Sequence, residues 1–112
     1  MARLKRISGP AYLAASATNI YTPPASTIET VIKHIRLANK TAGAVTATLY
    51  VGATGGSSGG TEIVPTESIP PNSHVDHFFS PGLAMQSTDF LSGLAGAGSS
   101  ITITVMGDQA VI

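Results

Sequence analysis

One stretch of the chain gathers side chains of the kind that bind metals or move protons, His74-x-Asp76-His77 within HVDHFF. On an extended strand successive side chains point to opposite faces, so His74 and Asp76 share one face and His77 lies on the other. Three ligands divided in this way cannot converge on one ion without a bulge, and the stretch reads as structural or surface-exposed, with no metal. His34 stands among apolar neighbours on another strand and reads as a histidine satisfied by a backbone carbonyl.

Serines are numerous, but none lies in the Gly-x-Ser-x-Gly turn between strand and helix that exposes a nucleophile. The acids Glu62, Glu67, Asp76, Asp89 and Asp108 are scattered, mostly in loops, with no spacing that suggests a working pair. Residues 52–60, GATGGSSGG, are glycine-rich like a phosphate cradle. They lack the Lys-Ser/Thr and the helix that such a cradle requires, and Thr61-Glu62-Ile63-Val64 follows as a strand. No catalytic residue, cofactor or metal is expected, and the chain reads as a non-enzyme.

A basic cluster, Arg3-x-Lys5-Arg6, opens the chain. Three charges neutralise few phosphates, and neither interleaved aromatics nor a recognition helix accompanies them, so nucleic acid is not the expected partner. An arm docking on an acidic protein surface is expected instead. The interface is expected to comprise Arg3, Leu4, Lys5 and Arg6 of the arm, with Tyr12 and Tyr21 on a strand edge.

Composition narrows the class. The chain has 112 residues, no cysteine, no net charge, 11% charged and 43% hydrophobic residues. Its mean hydropathy is +0.27. Such a chain makes one domain without disulfides, and its hydropathy argues against disorder. Ordinary soluble proteins carry roughly 25% charged residues, so much of this surface is expected to be covered by partners. All six bases precede residue 41 and five of the six acids follow it, Glu29 being the exception. Either the fold turns this asymmetry into two complementary surfaces, or it interleaves the halves and the asymmetry vanishes. Residues 11–17 are too short and too weakly apolar for a secretory h-region, and no run of 18 apolar residues predicts a membrane span. A soluble protein made in the cytoplasm is expected.

The elements that position these residues read as strands. Val31 to Val51 predicts a β-hairpin: Val31, Ile35 and Leu37 on one face of the first limb, Val45, Ala47, Leu49 and Val51 on one face of the second, and Asn39 to Gly43 as the turn. Its apolar face requires a second sheet to cover it. Residues 1–10 read as an extended basic arm and residues 11–112 as the domain. Ala11 to Ala15 reads as an edge strand, and Asn19 to Thr22 as a strand stopped by Pro23-Pro24. Thr61 to Val64 is a strand ended by Pro65, and His74 to Phe79 one followed by a Pro81-Gly82 turn. Ile101 to Val105 is the last strand, before a Gly107-Asp108 turn. Seven to nine short strands at such spacing predict an all-β, single-domain β-sandwich, jelly-roll-like or Ig-like, with at most one helical turn within residues 87–95. The expected inner layer is Ile20, Val31, Ile35, Leu37, Val45, Leu49, Val51, Val75, Phe79, Leu83, Phe90, Ile101, Ile103 and Val105.

These patterns resemble the small β-sandwich virion structural proteins of tailed bacteriophages. The resemblance lies in Ile20-Tyr21-Thr22-Pro23-Pro24, Val31-x-x-x-Ile35-x-Leu37-Ala38-Asn39, Thr48-Leu49-Tyr50-Val51-Gly52 and Ile69-Pro70-Pro71-Asn72-Ser73. It continues in Gly82-Leu83-x-Met85 through Asp89, and in Ile101-Thr102-Ile103-Thr104-Val105-x-Gly107. It spans residues 19–108 and departs at Thr88-Asp89, where such proteins often carry Gly-Asp. It implies a non-enzymatic virion protein of head decoration, minor capsid or tail type, and brings no catalytic residues. The expected function is capsid decoration, as a small homo-oligomer, a trimer, bound to the major capsid protein or another virion protein. A tail or baseplate subunit is the neighbouring reading. A carbohydrate-binding or adhesion module is the alternative from another class, with Tyr12, Tyr21, Tyr50 and Phe78 as its candidate stacking aromatics.

Overall fold

The computed structural model describes residues 5–24, 28–53 and 61–111. Eight strands are formed: β1 (Lys5–Tyr12), β2 (Thr18–Tyr21), β3 (Ile28–Asn39), β4 (Val45–Gly52), β5 (Glu62–Ile69), β6 (Ser73–Met85), β7 (Phe90–Ala95) and β8 (Ile101–Val111). They build two four-stranded sheets, ordered β1-β8-β3-β6 and β2-β7-β4-β5. Every pairing is antiparallel. β1 lies beside β8, β2 beside β7, β3 beside β6 and β4 beside β5, so each pair adds to nine in chain order. That is one long hairpin of four strands against four, wrapped into two layers: a jelly roll. The sandwich expectation holds, and the strand order selects the jelly roll over the Ig-like alternative.

The Val31–Val51 hairpin does not form. β3 pairs with β6 and β8, and β4 pairs with β5 and β7, so the chain crosses between sheets at residues 40–44. A hairpin would leave both apolar faces on one side of one sheet. The crossing instead sets the inner faces of β3 and β4 against each other, placing Ile35, Leu37, Ala47 and Leu49 in the fully buried core.

Asn39, only 2% exposed, holds this crossing. Its Nδ2 donates to the carbonyls of Gly43 at 2.9 Å and Ile69 at 3.0 Å, and its Oδ1 accepts from the Thr41 amide at 2.9 Å. The Asn72 amide donates to the Thr41 carbonyl at 3.0 Å, tying the β3–β4 and β5–β6 crossings together.

Bulges explain most other differences from the sequence reading. On β3 the inward residues are Thr30 and Ile32, then Ile35 and Leu37, because the register shifts between Ile32 and His34. Lys33 is the extra residue against β8, so Val31 turns away from the core while Ile32 enters it. β6 runs unbroken through Pro81-Gly82 because its ladder with β3 jumps from Leu83 to Phe78 across these residues. β5 likewise continues through Pro65, which an edge strand tolerates because one side of its backbone has no ladder to serve. β8 continues through Gly107, which is no turn: a Cβ there would stand 2.1 Å from the Val31 carbonyl oxygen. The expected arm is also redrawn. Lys5–Pro10 are extended but belong to β1, paired to β8 from Lys5↔Gly107 to Tyr12↔Thr102, while Ile7 packs on the core. Met1 to Leu4 lie outside the described residues.

The core adds Leu13, Ile32, Ala47, Val64, Ile69, Met85, Leu91 and Ala95 to the expected inner layer, and Phe90, expected there, is neither in it nor packed against it. Asn39→Ala strands the buried Ile69 carbonyl and removes the bond to Gly43, and is expected to lower the unfolding free energy by about 1–3 kcal/mol in urea titrations. Gly107→Ala forces backbone apart and is expected to cost at least about 1–3 kcal/mol in the same measurement.

Candidate assembly surface

The sequence-derived interface residues separate in the structure. Arg3 and Leu4 lie outside the described residues, and Lys5 opens β1. Arg6 is exposed opposite Met106 on the outward face of the β1-β8-β3-β6 sheet. Tyr12 shares that face opposite Thr102 and is 52% exposed. Its hydroxyl accepts a hydrogen bond from Lys40 Nζ at 2.7 Å, and the same ammonium lies 4.9 Å from the ring centroid. Tyr21 is not presented with them. Its hydroxyl is engaged by Thr30 Oγ1 at 2.8 Å and by Gln109 Nε2 at 2.5 Å, and its ring packs on the core.

At the opposite edge of the same sheet β3 and β6 display a polar group that the sequence did not foretell. Asp76 faces Arg36 across the ladder. Its Oδ1 accepts from Arg36 Nε at 2.8 Å and lies 2.8 Å from His34 Nε2; its Oδ2 accepts from Arg36 Nη2 at 3.3 Å and lies 3.5 Å from His74 Nε2. Hydrogen bonds from Arg36 and then His34 hold the Asp76 carboxyl down at about 2, against 3.8 for a free one. His34 is therefore partnered by a carboxylate, where a backbone carbonyl was expected. His34 also stacks on Phe78, with ring centroids 4.5 Å apart and planes 5° from parallel, and Phe78 is 74% exposed.

His77 lies on the other face, as the alternation required, and bonds Glu67 Oε1 of β5 at 2.5 Å. That contact joins the two sheets along the β5/β6 side. The metal-type cluster is thus split, and the guanidinium already on Asp76 opposes a cation there. Among the described residues no group of three His, Cys, Asp or Glu is placed to hold a metal ion.

On the β1/β2 side the sandwich opens into a groove of about 200 Å³, lined by Ala11, Tyr12, Leu13, Ile20, Gly93 and Ile103 among others. Its lining holds no carboxylate, imidazole or amine. Ser8, Tyr12, Thr18 and Asn19 supply its polar groups beside the alanine, leucine and isoleucine side chains. No helix among the described residues is long and apolar enough to cross a membrane.

No protein-family model matches the chain, and no curated protein matches it in sequence. Among solved structures, a chain of the Bacillus endospore appendages, described as disulfide-linked pili, is similar at a TM-score of 0.54 and 19% identity, over 100% of this chain and 89% of that one. A chain of infectious bursal disease virus, Gx strain, is similar at a TM-score of 0.57 and 8% identity, over 99% of this chain and 32% of that one, so this chain spans about a third of it. A pentameric capsid protein from metagenomic phage sequences superposes more loosely, with a TM-score of 0.36 and 15% identity over 96% of this chain and 60% of that one. At these identities the first two likenesses are of fold. The class so defined is an eight-stranded jelly roll of the architecture found in a viral chain and in a pilus subunit.

Asp76 ties titration to stability. A carboxyl whose value is depressed on folding stabilises the native state above the unfolded value, and that contribution is lost as the pH falls through the folded one. Wild-type stability is therefore expected to drop between pH about 3.8 and about 2 more steeply than that of Asp76→Asn, in urea titrations across that range.

Proposed function

We propose that this chain is a non-enzymatic structural protein of a virus particle, a jelly-roll subunit that decorates a bacteriophage capsid as a small homo-oligomer bound to the major capsid protein. The observation that carries the reading is the surface. A chain with only 11% charged residues presents Tyr12 and Phe78, the exposed large hydrophobics among the described residues, together with Arg6 on the outward face of one sheet. Exposed apolar groups on a sheet face of this kind serve contact with other proteins. The jelly-roll architecture, shared with a viral chain, supports the same reading.

A second reading, a subunit of a filament such as a phage tail, is favoured by the match to the pilus protein along nearly the whole of both chains. This chain has no cysteine, so the disulfide linkage named for that protein is not open to it. A glycan-binding role draws less support. One face of Phe78 is covered by His34, and Tyr21 is engaged within its own chain.

Particles that lack the protein, mixed with the purified chain, are expected to carry it down on sedimentation in a saturable ratio. Filaments in electron micrographs of the purified chain, with no particle binding, would replace this reading with the second one. Removal of residues 1–4, or Arg3→Glu with Arg6→Glu, is expected to weaken particle binding about tenfold or more. A deletion of residues 1–9 tests nothing about docking, since it removes most of β1.

A further inference from the structure

The charge asymmetry of the sequence survives folding as an asymmetry between edges. β1 and β2, which border one side of the sandwich, contain Lys5 and Arg6 and no acid. β5 and β6, which border the other, contain Glu62, Glu67 and Asp76 and neither lysine nor arginine. The two exposed large hydrophobics among the described residues, Tyr12 and Phe78, stand on these same opposite borders, Tyr12 on β1 and Phe78 on β6.

The register places them at matching heights. Arg6 lies opposite Met106, Met106 opposite His34 and His34 opposite Phe78, a single outward row across the whole sheet. Tyr12 lies opposite Thr102, Thr102 opposite Ala38 and Ala38 opposite His74, a second row. A further copy set beside the first at the same height therefore brings Arg6 to Phe78 and Tyr12 to His74. Phe78 has one ring face stacked on His34, and the other is free to receive a guanidinium. Pro10, Pro65 and Pro81, with the bulges around them, interrupt the backbone ladders at these edges. Proline and bulges are devices against open-ended strand pairing, so side chains must carry the contact.

We propose that copies of this chain associate side by side, the β1 edge of one against the β6 edge of the next, with Arg6 covering the free face of Phe78 and Tyr12 meeting His74. The contact uses two different surfaces, so it is heterologous, and it closes into a ring when the rotation between copies permits. The inference rests on the assembly reading above and names its self-contact.

Light scattering after size exclusion tests it. The wild-type chain is expected to run as an oligomer, well above the mass of one chain. Phe78→Ser, and separately Arg6→Glu with Tyr12→Ser, are each expected to run as monomers with unchanged circular dichroism, since all three side chains are exposed. Their thermal midpoint, unlike that of the wild type, is expected not to rise with protein concentration. An equimolar mixture of the two variants retains one intact edge of each kind and is expected to stop at a dimer. A wild-type chain that stays monomeric to its solubility limit, a variant that keeps the wild-type mass, or a mixture that forms no dimer would overturn the proposal. Sedimentation with particles separates the two readings: a monomeric wild type that still binds particles removes the edge contact alone, and an oligomer that binds none removes the particle reading alone.

Discussion

The architecture depends on how four crossings between sheets are fastened at one end of the sandwich. A chain that leaves one sheet for the other exposes carbonyl and amide groups where neither ladder reaches them, and burying them without partners costs heavily. The Asn39 side chain resolves this for two crossings together, because one amide group serves both the turn it belongs to and the end of β5. The others are fastened through the backbone: the Leu13 amide donates to the Ile101 carbonyl at 2.8 Å, the Lys40 amide to the Ser100 carbonyl at 3.2 Å and the Gly96 amide to the Thr46 carbonyl at 2.8 Å. With these in place, the inner faces of β3 and β4 meet across the core, and the outward rows fall into register from one edge of the sheet to the other.

That register gives the surface its character. The outer face of β3 and β6 is ordered before any partner arrives, because Arg36, Asp76, His34 and Phe78 hold one another in place. A pre-ordered side chain loses little entropy when it is covered, which is how a small contact between copies becomes worthwhile. Repetition around a closed ring or over a lattice then multiplies weak contacts into firm attachment.

Much of the fold was legible in the chain. Alternation of period two located most strands, and turn residues marked most breaks. What the chain did not disclose was partnership. The pattern of Val31 to Val51 reads identically whether its two limbs lie side by side or face each other across a core, and the role of Asn39 at the crossing shows only once its burial is seen. Pro65 and the Pro81-Gly82 pair read as stops because a proline at an edge looks, in sequence, like a proline at an end. Gly107 read as a turn for a related reason, since close approach of a neighbouring backbone leaves no local trace. The bond between Asp76 and Arg36 joins residues far apart in the chain, and neither spacing nor residue type could announce it. The segregation of bases from acids was visible from the start, but its meaning waited on the strand order that sent β1 and β6 to opposite borders.

The two long sides of the sandwich are closed differently. Along one, His77 and Glu67 clasp β6 to β5; along the other, β1 and β2 part around a groove that reaches Ile103 and Gly93. Tyr21 of β2 still fastens that second side, reaching Thr30 and Gln109 of the other sheet and leaving the groove open beside it. A neighbouring copy set against β1 also covers the mouth of that groove, so assembly takes apolar lining out of water as well as joining two edges.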